Sequence, residues 1–328
     1  MLPFLVLRNG QEIHNRFEPT GRELLVLLPG LARTHRAWLD LGLALSQRFD
    51  ILCFDWPGAG IAENEKISWQ VPVLAERIRE VLWALKHPSV FLVGHSLGAL
   101  VAIELSQRLP REVLRGLVLL APGHAGTGLA RLSRDGFLRL AKALGAKPDK
   151  RLQTVLYLLG SKTASGQNLA ETEPLLYQRW RANLEQDLKA YGARNILGQI
   201  MAYLGYTSRR ALRHIQQYQV PVRLLIPLED HLNAPQHARR LEAALRHPQV
   251  SVIELLRAGH DMLPTHAAQI EDIITQFVLN QDHFRVLPIQ PLPRTKPSLQ
   301  VIRQRVSTGM GLVAVGFLLL GWLFRRRR

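Results

Sequence analysis

Ser96 stands in Gly94-His95-Ser96-Leu97-Gly98, a Gly-x-Ser-x-Gly turn that follows the apolar run Val90-Phe91-Leu92-Val93 and opens into Ala99 to Leu105. Strand, tight turn and helix in that order hold a serine in a strained backbone conformation with its hydroxyl lifted above a sheet edge, the posture of a nucleophile. The flanking glycines keep bulky side chains out of the junction where strand meets helix. The next backbone N–H, that of Leu97, then sits at a helix N-terminus, where a developing oxyanion is stabilised. A second donor is expected from Pro29-Gly30-Leu31-Ala32, and Leu31 N–H is the candidate. The alternative for that segment is a turn of purely structural purpose.

A serine hydroxyl is a poor nucleophile at neutral pH. It needs a base within hydrogen-bonding reach, and the base needs a carboxylate to orient it. In this arrangement the partners follow in the order serine, acid, histidine. His260, in Ala258-Gly259-His260-Asp261, comes after the last expected strand and is assigned as the general base. The carboxylates Glu229 and Asp230 follow the penultimate strand, where the acid is needed, and Asp230 is preferred with Glu229 next. The alternative for Asp230 is a helix cap or a surface charge. Asp261 is too constrained to orient its neighbour's ring. His266 is expected to start the final helix with a surface or capping role, and His95 to support the serine turn.

These groups require a scaffold that brings distant loops to one edge. Leu24–Leu28, Ile51–Phe54, Val90–Val93 and Leu117–Leu120 are apolar runs of buried parallel strands. Helical patterns near Trp38–Ser46, Pro72–Lys86 and Ala99–Leu109 alternate with them. Asn9-Gly10 signals a hairpin and an antiparallel edge. After Pro122-Gly123 the alternation stops, and from about Gly128 to Tyr218 the pattern is helical. Strand logic resumes at Val222–Pro227 and Val250–Leu255, with helices at Pro235–Leu245 and from His266 to Leu279. The fold class is therefore α/β, with core halves at 1–122 and 219–280 and a helical insert at 123–218.

Composition narrows the setting. The 328 residues are 47% hydrophobic, which excludes a disordered chain. The single cysteine, Cys53, excludes an internal disulfide framework and falls at a buried strand position. The net charge is +16, and half of it lies from Gln281 onward, where nine Arg/Lys meet one acid. That balance favours an anionic partner. Residues 281–305 carry Pro288, Pro291, Pro293 and Pro297 and are expected to form an extended basic linker. From Val306 to Phe324 no charge interrupts the chain, Trp322 lies near one end, and Arg325 to Arg328 follow. Such a stretch is long enough to cross a bilayer, so 306–328 is expected to be a membrane anchor with a basic tail. Met1 to Leu7 has no basic leader, so the catalytic part is expected in the cytosol; positive charge on both flanks of the span leaves orientation open. No nucleic-acid-binding module is recognisable.

Over residues 1–280 the chain resembles the α/β-hydrolase superfamily. The matching pieces are Leu-Leu-Pro-Gly at 27–30, Phe-Asp-Trp-Pro-Gly-Ala-Gly at 54–60, Gly-His-Ser-Leu-Gly at 94–98, Leu-Glu-Asp at 228–230 and Ala-Gly-His at 258–260. The resemblance implies an eight-stranded, mostly parallel sheet with helices on both faces and a helical lid inserted after the sixth strand. Two departures stand out. Pro29-Gly30 replaces the His-Gly common in relatives, and Leu228 stands where relatives have a glycine, so that a gap-free alignment to Pro235 puts His231 at the acid's position. A one-residue shift restores Asp230. The expected activity is that of a membrane-anchored serine hydrolase cleaving esters of lipid or other hydrophobic acyl substrates, without metal or organic cofactor. An acyltransferase or thioesterase, or a noncatalytic membrane-associated scaffold, are the alternatives; the oligomeric state is left open.

Overall fold

Along each central strand, alternate side chains feed two separate apolar cores. Leu24, Val26, Leu28, Leu92, Leu117 and Leu119 face one, and Leu25, Leu27, Phe91, Val93, Val118 and Leu120 face the other. A strand buried on both faces has no polar alternation, which is why these segments read as continuous apolar runs. The computed structural model describes residues 2–9, 11–65, 69–123, 132–144, 146–160, 169–233 and 235–280. The expected linker and membrane span, 281–328, lie outside the described residues, and among the described residues no helix is long and apolar enough to cross a membrane.

Eight strands form one sheet: β1 (Leu5–Arg8), β2 (Gln11–His14), β3 (Leu24–Leu28), β4 (Asp50–Cys53), β5 (Val90–His95), β6 (Leu114–Leu120), β7 (Val222–Pro227) and β8 (Val250–Leu255). Their spatial order is β2-β1-β4-β3-β5-β6-β7-β8. Strands β1 and β2 pair as a hairpin, with Arg8 opposite Gln11, and β1 runs antiparallel to β4; from β4 to β8 every pairing is parallel. The chain winds outward from β3 to β4, then returns to place β5 on the other side of β3. That reversal is a topological switch point, where the loops after β3 and β5 diverge and leave a crevice at the carboxyl edge.

Helices α1 (Leu39–Leu45) and α10 (Leu263–Leu279) cover one face, while α2 (Val71–Leu85), α3 (Leu97–Ser106), α8 (Arg209–Tyr218) and α9 (Pro235–Leu245) cover the other. Every residue of α3 is buried, so the helix behind Ser96 is apolar almost all round. The final helix starts at Leu263, not His266 as the sequence reading has it. Pro264, favoured in a first helical turn, marks the start, and the backbone departs from helical geometry at His266. Between β6 and β7 lie α4 (Arg134–Leu144), α5 (Pro148–Leu159), the short α6 (Leu169–Thr172), α7 (Pro174–Gly205) and α8. Helix α7 is interrupted at Gly192, where φ is 65° and ψ is 166°.

Helix α3 approaches β3 closely. A Cβ at Gly98 would collide with the backbone carbonyl of Leu28. Backbone cannot rotate aside as a side chain can, so Gly98→Ala is expected to destabilise the fold by about 1–3 kcal/mol, the cost of overpacking a filled site. A urea midpoint unchanged by that substitution contradicts the account.

Candidate active site

Ser96 adopts φ 53° and ψ −110° between β5 and α3. A non-glycine residue in that region costs about 1–3 kcal/mol and persists only where its surroundings enforce it. Here the enforcement is visible: Ser96 N–H donates to Leu120 O on β6 (2.9 Å), and Ser96 O accepts the N–H of Ala99 (3.1 Å). The side chain is thereby turned to the imidazole of His260, whose Nε2 lies 2.9 Å from Ser96 Oγ. The other ring nitrogen, Nδ1, lies 2.8 Å from Asp230 Oδ2. A carboxylate only accepts, so Nδ1 carries the proton and Nε2 is free to accept from the serine hydroxyl. Asp230 is fixed in turn by the backbone N–H groups of Leu232 and Asn233, both donating to Oδ1 at 2.8 Å. Ser96 is only 3% exposed, and His260 and Asp230 are also buried.

The structure brings Ser96, His260 and Asp230 together and separates the other candidates. Glu229 lines a groove with Glu254, Arg257 and His266 on the outer side of its loop. His231, the residue a gap-free alignment favours, stacks on Tyr157 with ring centroids 4.8 Å apart. His266 binds Thr265 Oγ1 and the carbonyl of Leu256. His95 reaches further than a support for its own turn: its Nε2–H donates to the carbonyl of His260 (2.9 Å), tying the elbow to the His260 loop. Burial, with His260 close by, lowers its pKa to about 4, so the ring is neutral.

Leu97 opens α3, so its N–H has no intrahelical acceptor. Leu31 lies in the turn after β3, and that turn runs directly beside the serine: a Cβ at Gly30 would lie 2.8 Å from His95 Nδ1 and 3.6 Å from Ser96 Cβ. The neighbouring donors of the turn are taken. Ala32 N–H goes to Gln199 Oε1 (2.7 Å), Arg33 N–H to Gly30 O (3.2 Å) and Thr34 N–H to Asp187 Oδ2 (3.3 Å).

A buried ionic cluster, which the sequence reading does not contain, backs this turn. Arg33 pairs with Asp187 through Nε (3.1 Å) and with Asp261 through Nη1, and Trp180 Nε1 also donates to Asp261 (2.8 Å). Burial alone opposes the guanidinium's charge; Asp261 and Asp187 outweigh it and raise the arginine's pKa. Asp261 is likewise disfavoured by burial as an anion, yet Arg33 holds it below the usual carboxylate range. Asp261 therefore belongs to Arg33, and His260, one residue earlier, belongs to Asp230. The available signal for this cluster was Arg33 itself, a full charge placed directly after a turn packed against the core.

His95 links the site to acid stability. Its pKa is about 4 in the folded protein against an ordinary imidazole value of 6.5, so between these values the unfolded chain binds more protons. Stability is then full above the unfolded value and falls as pH drops from about 6.5 to about 4, by on the order of 1 kcal/mol per pH unit in mid-window. His247, lowered to about 4 by burial, adds to the same window. We expect urea midpoints to fall over this range in wild type and to fall less steeply in His95→Gln; equal slopes contradict the assignment.

Comparison with known proteins agrees with this architecture. Residues 25–273 match the model of the alpha/beta hydrolase family. Among curated proteins, the chain is 27% identical over 253 residues to the putative carbamate hydrolase RutD of Pseudomonas savastanoi pv. phaseolicola, covering 76% of this chain and 90% of that protein. Among solved structures, the esterase RhEst1 from Rhodococcus sp. ECU1013 superposes with a TM-score of 0.68 at 16% identity, over 86% of this chain and all of that one. A hydrolase from Pseudomonas aeruginosa PA01 gives a TM-score of 0.64 at 23% identity, over 81% of this chain and 94% of that chain. With its eight-stranded sheet, its serine elbow at the switch point and a family match spanning most of its length, the chain belongs to the alpha/beta hydrolase family.

Proposed function

We propose that the protein is a serine hydrolase that cleaves carboxylic esters of hydrophobic acyl substrates through an acyl-enzyme. The observation that carries this reading is the continuous hydrogen-bonded line from Ser96 Oγ through His260 to Asp230, at 2.9 and 2.8 Å. Ser96 Oγ attacks the ester carbonyl while His260 Nε2 takes the hydroxyl proton. The imidazolium that forms is stabilised by Asp230, which keeps its own charge. The negative charge on the carbonyl oxygen is met by the N–H groups of Leu97 and Leu31. His260 then protonates the leaving alcohol, and water, deprotonated by the same nitrogen, releases the acid.

The substrate class is inferred from the surroundings. Residues 123–218 contain fifteen Arg and Lys against six Asp and Glu, so outside the tail the whole basic excess lies in the segment between β6 and β7. Arg134, Lys142, Lys147 and Lys150 are exposed there, beside the half-exposed apolar side chains of Leu138 and Tyr157. A cationic surface with apolar side chains suits an anionic lipid interface, and the uncharged stretch 306–324 followed by four arginines suits an anchor to it. A second reading, transfer of the acyl group to an alcohol or thiol, is favoured by the burial of Ser96, which keeps bulk water from the acyl-enzyme.

A fluorophosphonate probe is expected to label wild type at Ser96 and to leave Ser96→Ala unlabelled. Asp230→Asn should retain the fold and lose about 10³–10⁴-fold in kcat, as the loss of an orienting carboxylate does. A panel of p-nitrophenyl esters of increasing acyl length, with and without added alcohol, reads chain preference and the balance of hydrolysis against transfer. Ester hydrolysis undiminished in Ser96→Ala would refute the mechanism.

A further inference from the structure

The turn that carries Leu31 is held from outside the sheet by a single helix. Four residues of α7, spaced four apart, meet the loops at the carboxyl edge: Asp187, Tyr191, Asn195 and Gln199. Asp187 accepts from Thr34 N–H, from Thr34 Oγ1 (2.6 Å) and from the Arg33 guanidinium. The Tyr191 hydroxyl donates to Arg33 O (3.1 Å) and accepts the N–H of Trp56 (3.2 Å). Asn195 lies against Gly58, so closely that a Cβ there would collide with its amide. Gln199 Oε1 accepts the N–H of Ala32 at 2.7 Å.

From the core side the same turn is held by Trp56, whose Nε1–H lies 3.2 Å from Pro29 O and 3.1 Å from Gly30 O. Trp56 is itself bonded to Tyr191, so both clamps converge on α7. Gln199 is fully buried, and its Nε2 has no hydrogen-bond partner among the described residues. Leaving a buried amide donor unpaired costs about 1–3 kcal/mol. An apolar side chain of similar length would avoid that cost, so what the glutamine contributes is its oxygen. That oxygen fixes the peptide plane next to Leu31.

We infer that α7 is a working part of the site, with Gln199 and Tyr191 as positioning residues that aim the Leu31 N–H at the reacting oxygen. This rests on the serine-hydrolase reading above. An oxyanion donor acts only within a narrow geometry, and displacement by about 1 Å can cost on the order of 10²-fold in rate. The segment between β6 and β7 would then contribute to transition-state stabilisation, beyond covering the site and setting its charge.

The test compares full-length wild type, Gln199→Met and Tyr191→Phe. Asp187 is avoided, since removing it breaks a buried ion pair and two bonds to Thr34 together and confounds rate with stability. The readouts are kcat and KM on a p-nitrophenyl ester, and affinity for an alkylboronic acid, which becomes tetrahedral on the serine oxygen. In Gln199→Met, kcat is expected to fall about 10–100-fold, boronate affinity to fall in proportion, and KM to stay within about 3-fold, the pattern of an interaction made only in the transition state. Tyr191→Phe should show the same pattern, more weakly. Variants that take the fluorophosphonate label and match wild type in kcat and boronate affinity overturn the inference while sparing the nucleophile assignment. A raised KM at unchanged kcat also overturns it, and assigns the residues to substrate binding. Should Gln199→Met fail to fold, Tyr191→Phe decides alone. Wild type that neither labels nor hydrolyses sinks the hydrolase reading and this inference together.

Discussion

The Arg33 guanidinium, buried between Asp187 and Asp261, is the interaction on which the geometry of the site depends. It joins three segments, the turn after β3 that carries it, α7 and the loop of His260, and its two partners lie 154 and 228 residues further along the chain. An aspartate pulled away from this guanidinium would be left as an uncompensated buried anion at a cost of about 3–5 kcal/mol, so none of the three segments can drift alone. Trp180 adds a neutral donor to Asp261, and Asp261 N–H bonds the carbonyl of Leu159 at the end of α5. The loop carrying His260 is thus pinned on one side by an ion pair and on the other by His95.

The scaffold was legible because its code is local. Leu24–Leu28, Val222–Pro227 and Val250–Leu255 read as strands from apolar runs and were observed with those limits. The Gly-x-Ser-x-Gly turn announces its own backbone, and the Asn-Gly signal announces the antiparallel pairing of β1 with β2. Asp230 was harder to read, since Leu228 breaks the usual spacing. Its place depends on two backbone N–H groups, Leu232 and Asn233, that leave no trace in residue type.

The ionic cluster was illegible for a different reason. Asp187 reads as one more charge on a polar helix, and only tertiary packing shows that it is buried. Arg33 and Asp261 each look like a neighbour of something more important. The same holds for His95, whose bond to the carbonyl of His260 joins residues 165 apart in sequence. Long-range polar pairing carries no periodicity, so pattern reading finds the elements and misses what locks them together.

Helix α7 delivers its contacts from two rigid halves joined at Gly192. Nothing lies within 4 Å of where a Cβ would be at that residue, so crowding does not explain the glycine. The joint's dihedrals are close to a mirror image of ordinary extended backbone, a region essentially closed to L-amino acids. Handedness, rather than size, dictates the residue: a D-alanine would sit there with less strain than its natural enantiomer. One achiral position thereby sets the angle between the half bearing Asp187 and Tyr191 and the half bearing Gln199.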